Sequence, residues 1–160
     1  MNHAVNRVFA KTLDKTHIWL TDLMRELDWS NEHRAYIALK AVLHTLRDRL
    51  TVEEAAQLAA QLPMLVRGFY YEGWHAAGKP LKQRHLEGFL FEVQTYFNPA
   101  DGVVAEELVR AVFALLERHI SKGEVDQVKR MLPAELRRLW RQEPESPRLR
   151  KYPAARVSFE

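Results

Sequence analysis

Seven histidines are the first residues to weigh, because imidazole both ligates metals and carries protons near neutral pH. They are His3, His17, His33, His44, His75, His85 and His119. No two stand in the His-Glu-x-x-His spacing that sets two imidazoles and a general base on one helical face, and His85 with Glu87 is only a two-ligand fragment. No metal site is expected. An axial haem ligand would need a histidine on an apolar helix face. His44, and His119 close to Leu116 and Ile120, come nearest to that requirement. Haem or small-molecule binding between two halves of the chain therefore stands as an alternative. With no cysteine, thiolate catalysis, disulfides and cysteine-held clusters are excluded. There is no Gly-x-Ser-x-Gly elbow and no glycine loop able to cradle a phosphate. The adjacent carboxylates Glu53/Glu54 and Glu106/Glu107 fall in the first turns of expected helices, where they meet the positive end of the helix dipole. No catalytic residue, no cofactor and no enzymatic activity are expected.

Binding chemistry is better supplied. Phe69-Tyr-Tyr-Glu-Gly-Trp74 places four aromatic side chains on a short helix that cannot bury them all on one face. Arginine beside exposed tyrosine and tryptophan is the composition of a protein-interface hot spot. Arg67 precedes the segment, and Arg137 holds the equivalent place later in the chain. The expected partner-binding residues are Arg67, Tyr70, Tyr71, Trp74 and Arg137, facing an unidentified protein. The two arginines could instead pair with nearby carboxylates such as Glu72 and Glu135. A second binding mode lies at the C-terminal end. Residues 1–136 hold 17 Lys/Arg against 18 Asp/Glu, whereas residues 137–160 hold seven against three. Arg138, Arg141, Arg148, Arg150, Lys151 and Arg156 can neutralise phosphates, and Tyr152 and Phe159 can stack on bases. Weak nucleic-acid binding through this tail is thus the alternative function. The nearly neutral body shows no basic groove.

These side chains are positioned by helices. Trp19, Leu20, Leu23 and Leu27 recur at helical spacing within about 14–28. Ser30 or Asn31 can cap a second helix over about 31–49, with Ala35, Leu39, Val42, Leu43, Leu46 and Leu50 on its buried face. Thr51-Val-Glu-Glu54 is a capping box, in which the hydroxyl takes the Glu54 amide proton and the glutamate reaches back to the cap amide. It opens a third helix over about 52–61. Pro63 then begins a short fourth helix over about 63–72, since proline fits a first turn and breaks a preceding helix. Gly73, Gly78 and Pro80 mark the loop that follows.

The same order recurs after an offset of 70 residues. Residues 17–70 align without a gap on 87–140, and 10 of the 54 pairs are identical, among them Val42/Val112, Leu46/Leu116, Glu54/Glu124 and Pro63/Pro133. Asp101 should cap the sixth helix, Ser121-Lys-Gly-Glu124 is a second capping box, and Pro133 should start a last helix over about 133–141. A single four-helix unit has more apolar face than it can bury alone. The expected fold is all-α: a tandem duplication of a four-helix unit, about 14–72 and about 82–141, packed into one eight-helix domain over residues 1–141. Residues 142–160, with three prolines and many charges, should form a flexible basic tail.

Two proline-centred stretches also carry a family resemblance. His119-Ile-Ser-Lys-Gly-Glu-Val-Asp-Gln-Val128 with Leu132-Pro-Ala-Glu-Leu-Arg-Arg-Leu-Trp140 resembles the ending of the bacterial DUF2267 family. Ala59-Ala-Gln-Leu-Pro-Met-Leu-Val-Arg-Gly-Phe-Tyr-Tyr-Glu-Gly-Trp74 resembles its middle. The likeness covers roughly 17–140 and implies an all-helical fold in a bacterial, soluble setting. The family has no assigned activity, so the resemblance transfers no site residues.

No apolar run approaches the roughly 20 residues that span a bilayer. Met1 to Asp14 lacks the apolar block and small residues of a secretory signal. A cytoplasmic, non-enzymatic protein-interaction module without membrane contact is the expected function.

Overall fold

Eight α-helices run through the residues described by the computed structural model, 3–141. They are α1 (His3–Leu27), α2 (Glu32–Arg47), α3 (Val52–Ala60), α4 (Met64–Tyr71), α5 (Leu86–Gln94), α6 (Ala105–His119), α7 (Lys122–Met131) and α8 (Ala134–Arg137). A short 3-10 turn, Pro99–Asp101, precedes α6. The all-α expectation holds. The tail expected over 142–160, with Arg148, Arg150, Lys151 and Arg156, lies outside the described residues.

Local signals explain most boundaries. The Asn31 side chain accepts from the Arg34 amide, Thr51 from the Glu54 amide and Ser121 from the Glu124 amide. Pro63 and Pro133 stand at the N-caps of α4 and α8. Three boundaries differ from the sequence reading. α1 begins at His3, not near residue 14, and is 25 residues long. α8 ends at Arg137 rather than near residue 141. Asp101 does not cap α6. It sits in the 3-10 turn, whose own cap is Asn98 bonded to the Ala100 amide, and Gly102 then leaves that turn at φ 66. Only glycine takes that left-handed backbone cheaply, so the chain turns there before α6 can start. Val104 becomes the N-cap without a side-chain hydrogen bond.

The core forms around α2 and α6, which pack on each other. α1 lies on α2 and also on α6, while α5 lies on α6 and also on α2. Each half therefore covers the central helix of the other, and one apolar interior runs through both. Leu39, Leu43 and Leu46 of α2 and Val112, Phe113 and Leu116 of α6 have no exposed surface. The Phe113 ring stacks on Trp140 at 4.1 Å between centroids.

α3 packs on α7. There the Thr51 hydroxyl points at Met131 Sδ (3.8 Å), and the Ser121 amide donates to Gln61 Oε1 (3.2 Å). The 70-residue offset exchanges these two contacts, since it carries 51 to 121 and 61 to 131. Among the described residues no helix is long and apolar enough to cross a membrane.

Candidate functional site

The five residues expected to face a partner do not form one surface. Tyr70 is fully buried, and its hydroxyl donates to the Ala55 carbonyl (2.7 Å). It belongs to the interior because α4 lies on α2 and α3 and its Tyr70 face turns inward. Tyr71 and Trp74 are half-buried against the core, with ring centroids 5.5 Å apart. Arg67 turns back to the end of α3. Its Nε donates to the Ala59 carbonyl (2.8 Å) and its Nη2 to that of Leu62 (3.0 Å), so the guanidinium satisfies carbonyls that the helix end leaves open. Neither Glu72 nor any other carboxylate pairs with it among the described residues. Its counterpart Arg137 is exposed and makes no side-chain hydrogen bond there. At the end of α7, the carbonyl of Met131 accepts instead from Arg84.

The residues of the nucleic-acid alternative divide as well. Arg138 is exposed. Arg141 is held by both oxygens of Glu26 (2.8 and 2.9 Å). Glu26 also takes Arg118, and Asp22, one turn earlier on α1, takes His119.

His44 has both ring nitrogens committed. Nε2 lies 2.5 Å from the Phe69 carbonyl, which can only accept, so Nε2 carries the proton and Nδ1 accepts from the Tyr96 hydroxyl (3.1 Å). Burial pushes its pKa down, and the ring is neutral. In this arrangement His44 offers no nitrogen to haem iron. Among the described residues no cluster of three or more His, Asp or Glu side chains is arranged to hold a metal.

The two glutamates of the capping boxes do something the boxes do not require. Glu54 and Glu124 are 2% and 8% exposed, and their carboxyls meet across the α3–α7 contact. Burial, then the hydrogen bond to Glu124 and its charge, push the Glu54 pKa up to about 8. Protonated Glu54 donates to Glu124. The reach-back half of the capping box is thus lost, and the Ser121 amide goes to Gln61. Sealed from solvent, this pair joins α3 to α7.

The open site lies elsewhere, where α1 leaves the body. Thr12, Thr16, Trp19, Leu20 and Leu23 form the buried stripe of α1. The same stripe continues toward the N-terminus as Val5, Val8 and Phe9, which are 42%, 53% and 58% exposed. The first three turns of α1 therefore overhang. Beneath them the Thr12 hydroxyl accepts from the Leu65 amide (3.3 Å), and Met64 and Leu65 at the start of α4 are exposed too. A cleft of about 620 Å³ opens alongside. Val8, Ile18 and Trp19 of α1 line one wall, and Leu62, Pro63 and Met64 line the other. Lys11, Lys15, Arg67 and His119 edge it, with no carboxylate among the lining residues.

Sequence reasoning missed this site, although its signal was present. Val5, Val8, Thr12, Thr16, Trp19 and Leu23 follow one another at steps of three and four, which is one helical face carried past residue 14.

Residues 16–139 match the family described as an uncharacterized conserved protein, DUF2267. The chain belongs to the DUF2267 family. No curated protein matches it. The DUF2267 span begins at Thr16, where the α1 stripe is buried, and takes in all of α2 to α8. The overhang precedes it. Lining residues fall on both sides of that boundary: Val8, Lys11 and Lys15 outside the DUF2267 span, and Ile18, Met64, Arg67 and His119 within it.

Proposed function

We propose that this DUF2267 protein is a non-enzymatic interaction module that docks a partner protein along the overhanging half of α1. One observation carries the reading: a helix stripe that is core from Thr12 inward continues uncovered through Phe9, Val8 and Val5, and Val8 shares a cleft with the exposed Met64. Contiguous exposed apolar surface of this kind marks interaction sites. His44 is committed to two hydrogen bonds, and Glu54 and Glu124 to each other. Tyr71 and Trp74 pack on the core and supply less free surface than α1.

A photo-crosslinking residue in place of Phe9 tests this. In the native host it should give a discrete adduct with one protein, and that protein, once purified, should bind the wild-type chain but not a Val8→Ser, Phe9→Ser variant of unchanged far-UV circular dichroism. Equal binding by the variant would overturn the assignment of the surface.

A further inference from the structure

The overhang carries charge in an ordered way. Arg7, Lys11 and Lys15 recur every four residues and form a basic row along one side of α1. Lys11 and Lys15 reach the edge of the cleft, and Arg67 and His119 stand among its other lining residues. Asp22 holds His119 at 2.7 Å, but Lys11, Lys15 and Arg67 are paired with no carboxylate among the described residues. Arg67 spends its hydrogen bonds on neutral carbonyls, which leaves its charge uncompensated. An apolar trough is thus edged by cations and by no acid.

Resting on the docking reading above, we infer that the cleft takes an amphipathic helical segment of another protein that carries Asp or Glu beside its apolar row. Length supports a helix. From Val8 to Trp19 the α1 wall extends about 16 Å at 1.5 Å per residue, which is three turns. Val8, Ile18 and Met64 give the apolar row its contacts, and carboxylates spaced three or four apart would face Lys11 and Lys15. Charge also sorts the competing occupants. A second copy would bring its own Arg7, Lys11 and Lys15 against the same cations. The basic residues Arg148, Arg150, Lys151 and Arg156 of this chain repel them in the same way. A phosphodiester would satisfy the cations but leave Val8, Ile18 and Met64 uncovered.

The probe is a fluorescein-labelled synthetic helix of about 18 residues with leucine on one face and glutamate on both flanks. Its twin has lysine in place of every glutamate. Anisotropy titrations use the full-length chain. The glutamate helix should bind at least about tenfold more tightly than the lysine twin, and more weakly as salt is raised. The Lys11→Glu, Lys15→Glu variant should reverse the preference, while Val8→Ser with Phe9→Ser should weaken both. All four positions are exposed, so the fold is kept. Equal binding of the two helices would overturn the acidic partner and leave the docking surface standing. Binding of neither helix would overturn both readings. Displacement of the glutamate helix by a single-stranded oligonucleotide, or concentration-dependent self-association that blocks it, would also overturn the inference.

Discussion

Glu54 and Glu124 stand at matching places in the 70-residue register, and burial changes what they are. On an exposed helix each would be an ordinary first-turn carboxylate, stabilised by the dipole. At the α3–α7 contact both lose water, and two adjacent carboxylates cannot both remain charged at low cost. Glu54 takes up a proton, with its pKa at about 8 against 4.5 for the free side chain. The folded state therefore binds a proton that the unfolded state releases. This contribution to stability is complete below about pH 4.5 and is lost as pH rises toward 8. His44 acts in the opposite direction. Its pKa is lowered, so its contribution is present above the ordinary histidine value of 6.5 and falls as pH drops below it. Glu54→Gln keeps a donor toward Glu124 and removes the titration. In urea denaturation the variant should gain on the wild type steadily from about pH 5 to about pH 9. A difference that does not change with pH would refute the shared proton.

At the scale of the element, α1 is one helix with two environments. Leu23 lies in its buried half with no exposed surface, and Val8 and Phe9 lie on the same stripe more than half exposed. Leu23→Ala should cost about 2–5 kcal/mol, because it opens a cavity in the core. Val8→Ser and Phe9→Ser should each shift stability by no more than about 0.5 kcal/mol, as surface positions do. Thermal melts of the three variants check this, and a large loss at Phe9 would mean that the overhang is core. The α1 stripe was legible in the sequence from Trp19 onward, where four apolar residues cluster. Its earlier part keeps the same spacing but is harder to recognise, because Thr12 and Thr16 interrupt the apolar run. In the structure Thr16 bonds back to the Thr12 carbonyl (2.8 Å), which satisfies its hydroxyl and lets a polar residue take a buried position.

At the scale of the whole molecule, the halves are not two beads. α1 covers α6, and α5 covers α2, so either half alone would expose the stripe that the other buries. The contacts of Thr51 with Met131 and of Gln61 with Ser121, exchanged by the 70-residue offset, tie α3 and its flanks to α7 across the molecule. A fragment of residues 1–80 should therefore lack a cooperative urea transition and near-UV circular dichroism. A sharp transition in that fragment would show that one unit closes its own core. The register also has limits. Arg67 closes the end of α3, whereas Arg84 does so for α7 and Arg137 is left exposed. Equivalent positions share a core face more faithfully than they share polar partners, because apolar burial is indifferent to direction and a hydrogen bond is not.

Periodicity, caps and prolines, all readable one turn at a time, were enough to determine an all-helical chain and most of the faces its helices bury, though not the start of α1, the end of α8 or the cap of α6. Which of those faces stays uncovered, and which polar residues face one another, was decided by the tertiary structure. Tyr70 and Glu54 go inside and the start of α1 stays outside because exposure depends on the neighbour that another part of the chain supplies, and no local pattern names that neighbour.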